Sequence, residues 1–251
     1  MNLFRGVLDL SVVRSSSRPC AFAVVALVMS VALGGCVPNQ ALRSTGSVPA
    51  GVKPSVVLLI KPDVQLSVLT AGGLQEPNAA WTAAGQANVE QALAEMMRKK
   101  NAALIPYREP DNDPQKQYSH NQVIKMHSAV GAAILMHKYN PVFALPTKAE
   151  RFDWTLGTDV RQLKEEFAAD YALFVYMRDS YASSGRVAVI VIGALLGAAV
   201  SGGVQVGFSS LVDLRTGEVV WFNRLVSGSG DLRTPEPARR AVEILLADLP
   251  L

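Results

Sequence analysis

Residues 204–226, VQVGFSSLVDLRTGEVVWFNRLV, contain the strongest local folding signal of the chain. Two runs rich in apolar residues, 204–213 and 218–226, flank a short polar segment at 214–217. Gly217 closes that segment, and glycine adopts the positive φ angle that a tight turn needs. The stretch therefore predicts two antiparallel strands joined as a β-hairpin.

Outward from this hairpin, short apolar runs alternate with segments of helical periodicity. Strands are predicted at 55–61, 64–70, 102–106 and 171–178. Helices are predicted over 79–100, 115–138, 158–169 and 235–249, with N-caps at Asn78, Thr158 and Thr234 and a local capping box at Ser119 and Gln122. This order predicts an α/β (α+β) fold with a single mixed sheet, helices packed on it and the antiparallel hairpin near the C-terminus.

The N-terminus matches a bacterial lipoprotein signal. Residues 1–18 carry three arginines, and residues 21–33 form an apolar run that suits a signal peptide and is short for a spanning helix. Leu33 and Gly34 then precede Gly35 and Cys36, as in a lipobox. We expect cleavage between Gly35 and Cys36, and acylation of Cys36 with palmitate-type chains that hold the protein on a membrane. An ordinary secretory signal and an uncleaved membrane anchor are the alternatives.

These signals predict the domain organisation of the chain. Residues 1–35 are the signal peptide, 36–54 a flexible tether, and 55–251 a single periplasmic α/β domain with an apolar insert at 186–203. The second cysteine, Cys20, falls in the signal, so the mature chain has no intrachain disulfide. Val37 follows the lipidated cysteine in place of an aspartate, which favours the outer membrane.

Composition excludes two classes of protein. Apolar residues make up 49% of the chain, too many for a disordered charged tail. The formal charge of +3 falls to +1 without residues 1–35, because that segment holds three arginines and one aspartate. A nearly neutral chain lacks the basic footprint of a nucleic-acid-binding protein.

No residue pattern predicts catalysis, a cofactor or a metal. His120, His127 and His137 lack the i,i+4 spacing of a zinc pair, and we interpret them as surface or half-buried imidazoles. The carboxylate pairs Glu165-Glu166 and Asp111/Asp113 are interpreted as solvated faces. We interpret a further set of charged residues as partners in turn hydrogen bonds and surface ion pairs: Arg178-Asp179, Asp213, Arg215 and Glu218. The alternative is that they form an edge that faces a partner protein. Trp81, Trp154 and Trp221 are expected to pack in the core or on the sheet.

Residues 187–200, VAVIVIGALLGAAV, form an unusual stretch of fourteen residues without a charge. Gly193 and Gly197 stand in the spacing that lets helices approach closely, and Gly202-Gly203 follow. Four interpretations compete: a buried element on the sheet, an apolar flap that contacts a partner or a second copy, a membrane-inserting hairpin, and a spanning helix. We take Gly193, Gly197, Gly202 and Gly203 as candidate partner contacts.

Residues 211–221, LVDLRTGEVVW, and the preceding strand at 170–175, DYALFV, carry a resemblance to known proteins. They resemble uncharacterised bacterial envelope lipoproteins related in architecture to the TolB N-terminal domain and the curli secretion lipoprotein CsgG. The resemblance covers 55–249 in element order and 170–222 in recognisable sequence. It implies a small α/β domain that faces the periplasm and has a non-catalytic role.

The function predicted is that of a lipid-anchored, non-enzymatic envelope protein, an accessory or assembly factor. Its expected partners are the membrane, through the lipid anchor, and other envelope proteins or a second copy, through the segment at 186–207. An oligomeric secretion-channel component is the first alternative, and a periplasmic hydrolase is the second.

Overall fold

A computed structural model describes residues 42–43, 56–100, 103–148 and 150–251. The predicted signal peptide, the cleavage site at Gly35 and the lipidation site at Cys36 lie outside the described residues. The strands are β1 (Leu42–Arg43), β2 (Val57–Leu59), β3 (Asp63–Leu69), β4 (Gln75–Pro77), β5 (Leu104–Pro106), β6 (Tyr171–Ala182), β7 (Gln205–Asp213) and β8 (Val219–Ser227). The α-helices are α1 (Ala79–Lys99), α2 (Pro114–Lys138), α3 (Arg161–Phe167), α4 (Ser184–Leu195) and α5 (Pro235–Leu245), and short 3-10 turns occupy 141–143, 146–148 and 158–160.

The strands of the described residues form one mixed sheet in the order β1-β8-β7-β6-β2-β5. β6 is the central strand, antiparallel to β7 on one side and parallel to both β2 and β3 on the other. Pro62 separates β2 from β3, which continue along the same side of β6, and β4 then pairs antiparallel with β3. The predicted α/β class with a single mixed sheet is confirmed.

Helices cover both faces of the sheet, and each face has its own apolar core. On one face, α1 and α5 pack through residues such as Leu93 and Val242 onto Leu173 and the fully buried Trp221. On the other face, α2 and α3 pack onto aromatic side chains of the sheet, among them Phe174, Phe208 and Phe222. Alternate residues of one strand serve the two cores because successive side chains of a β-strand point to opposite faces.

The predicted hairpin is confirmed as β7 and β8. Asp213 organises its turn, because the carboxylate accepts hydrogen bonds from the backbone N–H groups of Arg215 (2.7 Å) and Thr216 (3.3 Å). Gly217 has φ +80° and packs against the carbonyl of Gly157, which leaves no room for a side chain. The turn is therefore held by local hydrogen bonds and by a neighbouring loop.

The structure corrects three of the predicted capping residues, although α2 and α5 begin within one residue of the predicted positions. α2 begins at Pro114, where the Asp113 carboxylate accepts from the Lys116 N–H (3.0 Å), and Ser119 lies inside the helix. Thr158 begins a 3-10 turn without a side-chain cap, and α3 follows at Arg161. Thr234 precedes α5, but its hydroxyl donates to the Asp231 carbonyl. The cap at Asn78 is confirmed, since its side chain accepts from the Trp81 N–H at 2.9 Å.

Two further differences concern β1 and β6. Leu42–Arg43 lies within the predicted flexible tether, yet it pairs antiparallel with Phe222 and Trp221 of β8. The Arg43 side chain also donates to the Asp248 carbonyl (3.0 Å). β6 continues to Ala182, so Arg178 and Asp179 lie inside the strand and not at its end.

Candidate functional site

One edge of the sheet, where four strand ends meet, carries exposed apolar side chains together with the adjoining helix α4. The C-terminal end of β6, the start of β7, the end of β8 and the β3–β4 turn meet there, because Asp179 pairs with Gln205, Gln205 with Ser227, and Leu69 with Ala182. We name this surface the apolar edge. Its exposed residues are Leu74, Val187, Val189, Val191, Ile192, Leu195, Leu196, Val204 and Val226.

Helix α4 supplies most of the apolar edge. It begins at Ser184, where the Ser183 side chain accepts from the Arg186 N–H at 3.1 Å. Of residues 187–200 only Gly193 is buried, and the side chains of Leu195 and Leu196 are 82% and 80% exposed. The interpretation of this stretch as a buried element on the sheet is therefore wrong. None of the described helices combines the length and the apolarity needed to cross a membrane.

Three of the four candidate contact glycines serve the fold of this segment. Gly193 is buried against Val200, and a side chain at this position would meet Val200 at 2.9 Å. Gly197 has φ +75° just after α4, and Gly203 has φ +139° and lies against the Ser180 carbonyl. Gly202 has more space, since a methyl group added there would meet only Ile190, at 3.5 Å. The partner-contact role of these glycines stays a prediction.

A buried carboxylate lies beneath the apolar edge. Asp179 is 4% exposed and accepts hydrogen bonds from the Tyr181 hydroxyl (2.5 Å) and the Gln205 amide (2.8 Å). Burial raises the pKa of Asp179, and burial together with this carboxylate raises the pKa of Tyr181. The Tyr181 hydroxyl also accepts from the Leu232 N–H at 2.9 Å. The group thus ties the end of β6 to β7 and to the segment that leads into α5.

The segment that leads into α5 is also held by a contact between a cation and two aromatic rings. The Arg233 guanidinium lies over the ring of Tyr181 at 3.9 Å and over that of Trp81 at 4.7 Å, and it pairs with Asp231 at 2.8 Å. A cavity of about 200 Å³ adjoins this region and is lined partly by Gly202, Gly203, Ser229 and Gly230. Because these polar groups bind one another, we interpret them as the support of the edge.

The histidines do not come together, and two of them are buried. The His127 ring stacks on Phe174 (4.6 Å between centroids), its Nε2 lies 2.9 Å from the Ser210 hydroxyl, and burial lowers its pKa to about 3. His120 lies between the Tyr107 hydroxyl (3.1 Å) and the Glu166 carboxylate (3.5 Å), and burial also lowers its pKa. The interpretation of these two as surface or half-buried imidazoles is wrong. Among the described residues, no three His, Cys, Asp or Glu side chains are placed to hold a metal ion.

Other singled-out residues have structural partners. Glu166 pairs with Lys116 at 3.6 Å as well as with His120, and Arg178 pairs with Asp63 at 2.8 Å. Tryptophan packing is confirmed for Trp221, which is fully buried, while Trp81 packs edge-on against Tyr181. The half-buried Trp154 stacks on His137, the least buried of the three histidines.

A second exposed apolar surface follows the outer side of α2. The sequence predicts only the inner stripe of this helix, Val123, His127, Val130 and Ile134, and all of these except the half-buried Val130 are buried. We name the opposite side the α2 stripe, and its apolar residues are Tyr118, Met126, Ala129, Ala132 and Met136, followed beyond the helix by Val142 and Phe143. Counting apolar residues at helical spacing on both sides of α2 would have found this stripe from sequence.

Sequence comparison finds neither a protein-family model nor a curated protein that matches this chain. Solved structures are similar at low identity. A PelC dodecamer from Paraburkholderia phytofirmans has a TM-score of 0.36 and 11% identity, over 85% of this chain and 98% of that one. The C-terminal domain of LpoB from Salmonella enterica has a TM-score of 0.26 and 16% identity, over 70% of this chain and 85% of that one.

Lipoprotein GNA1162 from Neisseria meningitidis has a TM-score of 0.33 and 12% identity, over 78% of this chain and 99% of that one. All three TM-scores lie below 0.5, so these similarities do not transfer a function to this chain. The resemblance to TolB and CsgG stays a prediction.

Proposed function

We propose that this chain is a lipid-anchored protein of the bacterial cell envelope that works by binding protein partners, a second copy among them, and does not catalyse a reaction. The accessory or assembly role and the outer-membrane location belong to the same proposal. The lipobox at Cys36 supports the anchor. One structural observation carries the contact function, and it is the α2 stripe.

Helix α2 carries apolar side chains on both sides, with the exposed Gln122 and Lys125 among those of its outer side. Its inner side is already packed on the sheet through Val123, His127 and Ile134. On its outer side Tyr118, Met126 and Met136 are each about half exposed or more (61%, 49% and 52%). A surface helix normally pairs one apolar stripe with a polar one, and contiguous exposed apolar patches mark interaction sites.

The composition of the α2 stripe suits a protein partner. Ala129 and Ala132 lie between Met126 and Met136, so a second helix can approach the middle of the stripe closely. Methionine side chains adapt to irregular surfaces, and tyrosine is enriched at protein interfaces. Val142 (84% exposed) and Phe143 (54% exposed) extend the same surface beyond the helix.

The chemistry of the described ionisable groups supports a non-catalytic role. The buried His127 and Asp179 bind side chains of the protein itself, and Glu166 is shared between Lys116 and His120. Such contacts are those of ionisable groups that stabilise a fold.

The test is extraction of the full-length protein in mild detergent, with a photo-crosslinking residue at Met126, followed by sizing and mass spectrometry. The matched control carries the crosslinker at Gln91, an exposed position on α1. We expect a discrete complex and a crosslinked product from position 126 alone. A monomer without crosslinks would contradict the contact function, and ring-shaped particles would replace it with the channel alternative.

A double substitution tests whether the α2 stripe itself holds the complex together. Met126→Lys with Met136→Lys should dissociate the complex while the thermal unfolding temperature stays near that of the wild type, because both side chains are exposed. The mass of the mature chain reports whether Cys36 is acylated. An unacylated Cys36 would contradict the anchor without affecting the crosslinking result.

A further inference from the structure

We infer that the apolar edge rests on the surface of a lipid bilayer, with α4 lying along the headgroup region beside the lipid anchor. The inference goes beyond the contact function of the α2 stripe, because it concerns a different surface and a different occupant. It rests on the proposed acylation of Cys36.

The first argument is the length of chain between the anchor and the described domain. Five residues lie between Cys36 and Leu42, and the six Cα–Cα steps that join them span at most about 22 Å. β1 pairs antiparallel with β8, with Leu42 opposite Phe222. Toward its N-terminus, β1 therefore points along β8 to Ser227, which belongs to the apolar edge and lies about 17 Å from Phe222 at strand spacing. The chain length thus allows the anchor to reach the apolar edge, and it keeps the domain close to the membrane.

The second argument is the composition of the edge. From Ser180 to Val212 the sequence has a single charged residue, Arg186, and no carboxylate. The β3–β4 turn at 70–74 and the end of β8 at 226–230 also lack charges. An apolar surface whose single charged residue in these segments is Arg186 matches an anionic bilayer surface. There, apolar side chains are buried and cations approach phosphate groups.

The third argument is the geometry of α4. Its 12 residues measure about 18 Å along the axis, against a hydrocarbon core of about 30 Å. A helix of this length is too short to span the bilayer but can lie in the interface. Its N-terminal end is fixed to the domain, since the Ser183 N–H donates to the Leu69 carbonyl (2.9 Å) and the Arg186 side chain donates to the Ser201 carbonyl (3.0 Å). The helix is thus held as part of a continuous surface.

The arrangement favours lipid over a second copy as the occupant of the edge. A tether of five residues keeps a membrane within reach of this end of the domain in every acylated copy. The α2 stripe, by contrast, lies on the helix layer of one sheet face and stays available to a protein.

The experiment uses the full-length acylated protein in vesicles of phosphatidylethanolamine and phosphatidylglycerol. Cys20 falls in the predicted signal and Cys36 is the predicted lipid site, so an introduced cysteine provides the only free thiol. An environment-sensitive fluorophore is attached at Ile192→Cys or Leu195→Cys. The matched controls, Glu90→Cys and Gln91→Cys, are exposed positions on α1, away from both the edge and the α2 stripe.

We expect the labels at 192 and 195 to shift their emission to the blue and to be quenched by nitroxide-labelled lipids, while the controls stay in a water-like environment. A label at Val226→Cys should show the same blue shift and quenching. Adding Ile192→Asp and Leu195→Asp to that variant should remove both signals. Water-like emission at 192 and 195 would overturn the inference. Emission that is blue-shifted, insensitive to nitroxide lipids and lost when the protein is diluted in lipid would assign the edge to a second copy. Because acylation is checked by mass, failure of the edge contact is distinguishable from failure of the proposed anchor.

Discussion

At the scale of single residues, His127 shows how far burial changes a side chain. Its imidazole is enclosed by Phe174 and Phe208 and contacts the Ser210 hydroxyl. The folded protein keeps this histidine neutral, with a pKa of about 3, whereas an unfolded chain binds a proton near pH 6.5. Below pH 6.5 the unfolded state therefore binds more protons than the folded state, and stability falls as the pH falls.

We expect this histidine to reduce the free energy of unfolding by about 2 kcal/mol between pH 7 and pH 5. His127→Gln removes the titrating group, so its stability should change less over this range. Denaturant unfolding at both pH values measures the difference. Ser210→Ala is the matched control, because it removes the hydrogen bond but keeps the imidazole. If His127→Gln and Ser210→Ala gave the same pH dependence, the assignment to His127 would fail.

Gly131 is the second residue with a clear energetic role. A side chain at this position of α2 would collide with the ring of Phe208. That ring cannot move aside, because it is stacked between Tyr176 (4.6 Å) and Phe222 (5.5 Å). The absence of a side chain therefore lets α2 approach the sheet.

Gly131→Ala should lower the free energy of unfolding by about 1–2 kcal/mol, since the collision outweighs the helix propensity gained from alanine. Chemical denaturation measures this change. Gly72→Ala is the comparison, because no atom lies within 4 Å of the added group. An equal effect of the two substitutions would contradict the close approach of α2.

At the scale of elements, the sheet itself caps the C-terminus of α5. The last carbonyls of a helix lack partners within it and need other donors. The Ser209 hydroxyl donates to the Leu245 carbonyl (2.7 Å), and the Asn223 amide donates to those of Ile244 (2.9 Å) and Leu245 (3.3 Å). Two buried polar residues of neighbouring strands thus fix where α5 ends.

Asn223→Ala removes the amide that donates to the Ile244 carbonyl and one of the two donors to the Leu245 carbonyl, so we expect a loss of about 1–3 kcal/mol in the free energy of unfolding. Gln91→Ala removes an exposed amide that binds Glu95 within α1 and should cost much less. Thermal and urea unfolding of both variants test the comparison. A small effect of Asn223→Ala would mean that solvent replaces the cap.

Elements with a strong local signal could be predicted from the sequence, and elements made by distant pairing could not. The hairpin at 204–226 and helix α1 with its Asn78 cap follow from turn chemistry and periodicity within a few residues. The two-residue β1 and the three-residue β4 exist only because β8 and β3 offer partners. Likewise, Leu74 and Val226 join the apolar edge through strand register, which no local pattern reports.

At the scale of the whole molecule, the segment at 187–200 contributes little to the core, although it is the most apolar stretch of the described chain. The sequence identified it as a candidate contact segment but left its burial open. Its exposure follows from the topology, because the segment extends past the ends of β6 and β7, where neither helix layer covers it.

Replacing 187–200 by a short glycine-serine linker should therefore leave the unfolding temperature within a few degrees of the wild type, as expected for removal of exposed residues. The pairing of β6 with β7 continues as far as Asp179 and Gln205, so a short loop can close the hairpin. Differential scanning calorimetry of the variant measures the shift. A large drop in the unfolding temperature would mean that the segment is part of the core.

The pairing of β1 with β8 has a consequence for how the domain is produced without its lipid. Within the part of the chain that the structure describes, the outer side of β8 is covered by these two residues and, at its start, by Trp154, whose carbonyl accepts from the Val219 N–H (2.9 Å). The strands at the opposite edges are only three residues long and contain Pro77 or Pro106. Short strands and prolines discourage other chains from adding to a sheet, but a long uncovered strand invites them. A recombinant domain that starts after Arg43 would expose this side of β8 from Val220 to Ser227 and is expected to aggregate, which light scattering would detect, while one that starts at Val37 would keep the strand shielded.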